Sequence, residues 1–230
     1  MGAQAAGAGV AVSRSYPELK ERQRRERHTH APGLALRVHR ALSWYGRAEQ
    51  EADDLDARFI FLWIAFNAAY ATDINAAYRS GAQGAFVHFL GVLLDLDRQA
   101  RLADMVWKQF SGPIRGLIEN KFLFRDFWDS RNGTLDPDAW ERRFIVERGR
   151  ARRALAASET LTVLGIVLDR IYTLRNQVVH GGSTWDSDVN REQVRDCARF
   201  MGELVPVIIE IMMDNPQTVW GSAVYPVVKD

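Results

Sequence analysis

The sequence predicts an all-α fold, a helical bundle with short connections, and three observations carry that prediction. Apolar residues recur at i, i+3 and i+4 through most of the chain after Pro32, as in amphipathic helices. Glycine and proline punctuate these stretches, as at Gly81, Gly84 and Gly112-Pro113. Convincing strand alternation and internal repeats are both absent, and only the tail from Val219 to Val228 has room for one extended piece.

Taken in order, the elements are these. Residues 1–31 read as a poorly ordered tail, with an Ala/Gly-rich start and then a charged run. That run holds Lys20, Arg22, Arg24, Arg25 and Arg27, partly neutralised by Glu18, Glu21 and Glu26. It suits a solvated helix or a nucleic-acid arm. Residues 32–230 read as one domain. Leu34, Val38, Leu42 and Tyr45 mark a first helix, running to about Glu51. Asp53, Asp54 and Asp56 suit the positive end of the next helix. Its broad stripe of Phe59, Leu62, Trp63, Phe66 and Tyr70 reads as core. Helices follow at about 82–97, 98–110 and 113–128, then a turn at 129–138. A basic segment comes next, with Arg142, Arg143, Arg148, Arg150, Arg152 and Arg153. Long helices are expected over Ser158–His180 and 188–214, the first ended by Gly181-Gly182 and the second stopping before Pro216.

Composition narrows the class. The hydrophobic fraction of 47% and charged fraction of 26% exclude global disorder. A net charge of +1 means that any nucleic-acid affinity comes from local basic patches. The single cysteine, Cys197, makes no internal disulfide and no zinc pattern, and points weakly to the cytoplasm. Runs such as Leu161–Leu168 and Val205–Ile209 are too short to span a bilayer, so a soluble protein is expected.

The helix over 159–180 carries the functional argument. Leu161, Val163, Leu164, Val167, Leu168, Ile171, Tyr172, Leu174, Val178 and Val179 cover half its circumference. Thr162, Asp169, Thr173, Asn176 and His180 form a narrow polar stripe expected to face away. Arg175 falls inside the apolar half, in line with Leu164, Leu168 and Ile171. A buried, unpaired guanidinium is costly. Three placements fit: a carboxylate partner from another helix, a reach to solvent at the helix end, or a cleft where a phosphate belongs. His180 sits in the last turn, where the negative end of the helix dipole favours a protonated imidazole. Asn176, one turn earlier, shares its face and has an amide suited to orienting the imidazole or binding a phosphate or ribose oxygen. Arg175 and His180 stand about 7.5 Å apart along the axis and about 140° around it. A bent helix end, or a two-fold axis that brings two copies together, would join them at one site.

Arg175-Asn176-Gln177-Val178-Val179-His180 resembles the Arg-x4-6-His motif of the HEPN superfamily, in its form with Asn after the Arg. Leu62-Trp63-Ile64-Ala65-Phe66-Asn67-Ala68-Ala69-Tyr70 is also similar to segments of bacterial HEPN domains, and the resemblance spans about residues 34–214. It implies a bundle of four or more helices and a homodimer with both motifs in a cleft at the interface. It also implies metal-independent RNA cleavage, in which a ribose 2′-oxygen attacks the adjacent phosphate to leave a 2′,3′-cyclic phosphate and a 5′-hydroxyl. His180 would then be the acid/base group, Arg175 would stabilise the phosphate charge, and Asn176 would position the phosphate or His180. No metal or other cofactor is expected: His28 and His30 fall in the expected tail, and His39 and His88 lack a ligand cluster. A toxin or defence effector held silent by a neutralising partner protein fits this chemistry. So does the basic 142–153 segment tracking an RNA backbone. The alternative is a non-catalytic HEPN module that binds a protein partner or a nucleotide. A small-molecule enzyme has little support, since no phosphate-binding glycine loop, nucleophile elbow or His-Glu-x-x-His motif is present.

Overall fold

A computed structural model describes residues 15–70, 86–223, 225 and 227. Among these residues the regular structure is helical throughout, so the fold class is all-α. The helices are α1 (Tyr16–Glu26), α2 (Pro32–Glu49), α3 (Leu55–Tyr70) and α4 (86–96). Next come α5 (Arg101–Asp104, continued by a π-turn Met105–Gln109), α6 (Ser111–Glu119) and α7 (Arg125–Arg131). The chain closes on α8 (Ala139–Ala156), α9 (Thr160–Val179) and α10 (Arg191–Asp214).

At the centre lies α3, packed against α2 and α10 and touching α9. Its composition explains that position, for a helix apolar nearly all round has no face to give to water. The expected stripe is core: Phe59, Leu62, Trp63 and Phe66 are buried. Trp63, Phe66, Tyr70, Phe86 and Tyr172 join rings across α3, α4 and α9. Trp63 meets Tyr172 with ring centroids 5.8 Å apart. A second, smaller cluster holds α7 to α8 through Phe124, Phe127 and Phe144, flanked by Trp128 and Trp140.

Several expected boundaries shift. The tail expected over 1–31 lies partly outside the described residues, but from Ser15 onward it belongs to the bundle. Leu19 of α1 is fully buried, and the Tyr16 ring lies so close to Gly46 that a Cβ there would sit 2.7 Å from it. Arg22 pairs with Asp214 at 2.8 Å, which ties α1 to the end of α10. Periodicity hid this because only Leu19 and Gln23 of α1 are buried, too few to make a stripe. The helix expected over 113–128 is two helices. Asn120 ends α6 and accepts the Phe122 N–H on its side chain at 2.9 Å, starting a 3-10 turn over Lys121–Leu123. Residues 139–156, read as a basic segment, are a single eighteen-residue helix. The part of the expected extended tail that is described, 219–223, 225 and 227, contains no strand.

Two arginines pin the remote ends. Arg101 bridges Asp97 at 3.1 Å and Asp214 at 2.6 Å. Arg37, almost fully buried, gives its Nε–H to the Ala69 carbonyl at 2.9 Å in the last turn of α3. A second guanidinium N–H reaches the Trp220 carbonyl, so α2, α3 and the C-terminal segment meet on one side chain.

Candidate nucleic-acid interface at the end of α9

The last turn of α9 closes as a Schellman motif. Gly182 N–H donates to the Gln177 carbonyl at 2.7 Å and Gly181 N–H to the Val178 carbonyl at 3.3 Å. Gly181 has φ +72°, a left-handed conformation that glycine adopts without steric cost. His180 is thus the C-cap, fixed in backbone and exposed in side chain. Among the described residues its ring nitrogens have no hydrogen-bond partner.

Arg175 is half-buried and its Nη1 donates to Asn176 Oδ1 at 2.9 Å. Of the three placements open to it, a carboxylate partner is the one the described residues do not supply. Its Nε is buried without a hydrogen-bond partner. Asn176, left open between imidazole and phosphate, is engaged by Arg175 instead. That bond draws the guanidinium round the helix toward the face that Asn176 shares with His180. Within one chain no hydrogen bond joins Arg175 to His180.

The flanks of this turn are held from two sides. Gln177 Nε2 donates to the Phe122 carbonyl at 2.7 Å, and Trp128 Nε1 donates to the same oxygen at 2.8 Å. On the other side the loop after His180 is tied to the start of α3. Asp54 accepts the Ala57 N–H at 2.9 Å on Oδ1, capping α3, and the Trp185 indole N–H at 3.0 Å on Oδ2. These bonds, the Ala57 N–H foremost, hold the Asp54 carboxyl below the ordinary aspartate range. Asp56 accepts the Asp186 N–H at 3.2 Å and an Arg191 N–H at 2.6 Å. The acidic start foreseen for this helix therefore both caps it and anchors the loop beyond the motif. Because α3 and α9 run antiparallel, Asp54 and Gly181 each lie nine residues, about 13.5 Å, beyond the Trp63–Tyr172 contact toward the same end.

The polar stripe does not all face solvent. Thr173 is buried, and its hydroxyl donates to the Asp169 carbonyl at 3.1 Å. The Asp169 carboxyl is pushed up to about 6, first by burial and then by the neighbouring Glu147 carboxylate. Beside it lies a residue the sequence reading passed over. Arg170 is 0% exposed and carries the buried cation of α9. Its guanidinium lies 4.8 Å from the Phe124 ring centre, with Glu147 at 3.5 Å and Asp169 at 3.7 Å. Its position beside Gln177 on the helix wheel, facing α8 and the Phe122 turn, is the signal that could have found it.

On α8 the basic residues divide. Arg143 pairs with Asp126 at 3.0 Å, Arg152 with Glu119 at 3.1 Å, and Arg148 also with Glu119. Arg142, Arg150 and Arg153 are exposed and have no carboxylate partner among the described residues. Spaced at i, i+8 and i+11, they share one face. Histidine, cysteine and carboxylate side chains form no metal-binding group of three among the described residues. His30, expected in a loose tail, is buried behind α1. Cys197 is buried, and burial pushes its thiol well up. No helix of the described residues is long and apolar enough to cross a membrane. The chain matches no protein-family model, no curated protein and no solved structure.

Proposed function

We propose that this chain is a HEPN-type, metal-independent endoribonuclease that works as a homodimer with the Arg175/His180 ends of two α9 helices facing one RNA strand. The observation that carries the reading is the state of Arg175. Where Arg101 and Arg170 have carboxylates beside them, Arg175 has, among the described residues, only the Asn176 amide. Its positive charge is therefore available to a phosphate. His180 stands beyond it at the cap, its ring nitrogens without a hydrogen-bond partner among the described residues.

The chemistry follows from these groups. An imidazole takes the proton of the ribose 2′-hydroxyl as its oxygen attacks the adjacent phosphorus. The P–O5′ bond breaks, the leaving 5′-oxygen receives a proton, and a 2′,3′-cyclic phosphate remains. Arg175 meets the negative charge that builds on the non-bridging oxygens, and Asn176 holds its fork in place. A pair of His180 side chains across a two-fold axis supplies both the proton acceptor and the proton donor. The free arginines of α8 support an electrostatic track for the strand. A toxin or defence role with a neutralising partner protein is consistent with such an activity.

The test is cleavage of a mixed-sequence single-stranded RNA in excess EDTA. Wild type should cleave and leave 2′,3′-cyclic phosphate ends, and Arg175→Ala and His180→Ala should each lose at least about 10²-fold in rate. Absence of cleavage by the folded wild type, or cleavage indifferent to both substitutions, moves the reading to a partner-binding or nucleotide-binding HEPN-type module.

A further inference from the structure

Two exposed aromatic rings, Phe122 and Trp185, belong to the segments hydrogen-bonded on either side of the α9 cap. Taking Tyr172 as the direction of α3, His180 is about 80° and Gln177 about 140° round α9. Gln177 points to Phe122, whose side chain remains substantially exposed. On the α3 side stands Trp185, five residues past His180 and 74% exposed. An exposed indole is ordinarily free to swing, but this one is not. Its N–H is bound by Asp54, and the next backbone N–H by Asp56. Asp186 holds a left-handed φ of 54°, which turns the loop sharply at that point. The loop thus fixes the ring without burying it. Lys121 adds an ammonium 5.3 Å from the Phe122 ring centre.

A rigid, solvent-facing indole beside a candidate phosphate site is suited to a base, because every nucleobase has a π-face and single strands leave it free. We propose that Trp185, with Phe122 across the cap, is a stacking platform that grips unpaired bases beside the scissile phosphate and restricts the substrate to single-stranded RNA. The proposal rests on the ribonuclease reading and names its substrate class. A second copy of the chain seated on Trp185 is the competing occupant, and the experiment separates the two.

Binding of a labelled single-stranded RNA and of its duplex is measured with the His180→Ala protein, which does not consume either. Trp185→Ala, Trp185→Phe and Val189→Ala are added one at a time, Val189 being an even more exposed aliphatic four residues further on. Trp185→Ala should weaken single-strand binding by about 5- to 100-fold. Trp185→Phe, which loses the Asp54 bond but keeps a ring, should restore most of it, and Val189→Ala should change nothing. Duplex affinity and the salt dependence of single-strand binding should be unmoved, since stacking neutralises no phosphate. Equal losses for single strand and duplex overturn the proposal, as does unaltered single-strand binding by Trp185→Ala. A Trp185→Ala protein that changes from dimer to monomer by light scattering makes the ring a subunit contact and also overturns it. The two readings fail separately: a wild type that grips single strands through Trp185 yet never cleaves them sinks the nuclease and leaves the platform standing.

Discussion

Arg170 and Arg175 sit five residues apart on α9, and among the described residues only Arg170 has carboxylates beside it. Sequence reasoning identified Arg175 because it interrupts an apolar row. Arg170 escaped because its surroundings, Phe124, Phe144 and Glu147, come from α8 and the turn before α7, which no periodicity along α9 reveals. Removing the Arg170 guanidinium strands two carboxylates, so Arg170→Ala should cost about 3–5 kcal/mol in urea unfolding. Asp169 adds a pH dependence. Its folded value, about 6, lies above its ordinary 3.8, so its contribution to stability is complete below the ordinary value and is lost as pH rises through 6. Asp169→Asn, which mimics the protonated side chain, should gain about 2–3 kcal/mol over wild type at pH 7.5, and the gain should shrink to about 0.5 kcal/mol by pH 4. A difference of the same size at both pH values would show that the carboxyl does not titrate in that window.

At the scale of elements, the ends of helices decide more than their middles. Long stripes made α2, α3, α9 and α10 legible, because each buries one broad face or is wholly interior. The 3-10 turn at Lys121–Leu123 was illegible, since it hangs on one side-chain bond from Asn120. The place of α1 in the bundle was also hidden. Leu19→Ala should cost about 2–5 kcal/mol, as for a core leucine, whereas exposed Arg24→Ala in the same helix should stay within about 0.5 kcal/mol. Thermal unfolding separates the two directly. The Gly181-Gly182 stop is one of the ends that the sequence announced. At Gly181 a Cβ costs about 1–2 kcal/mol in the left-handed region, which asparagine tolerates better than alanine. Gly181→Ala should therefore lower RNA cleavage more than Gly181→Asn, and should lower the melting temperature by roughly 2–8 °C.

Across the whole molecule, the proposed strand path runs from the end of α9 to the open face of α8. A net charge of +1 gives no global attraction, so Arg142, Arg150 and Arg153 must supply it locally. Replacing all three with alanine should make the slope of log affinity against log salt shallower by about 2 units, at about 0.7 per phosphate for a single strand. An unchanged slope would remove α8 from the path. The sequence reached the bundle class and the motif-bearing helix end because both are local properties. It could not reach the way α3 braces the loop after His180, because Asp54 and Asp56 act on residues 130 and more positions away.

Arg37 has a consequence in time as well as in space. Its guanidinium joins Ala69 to Trp220, and the latter lies 183 residues further along the chain than Arg37. At a ribosome adding about 5–20 residues per second, roughly 10–40 s separate the synthesis of the two ends of that clasp. Through that interval the side chain keeps its water, and the α2–α3 hairpin stands half-fastened with apolar surface still awaiting α9 and α10. The second half of the clasp can close only once Trp220 has left the exit tunnel, so it belongs to the last steps of folding.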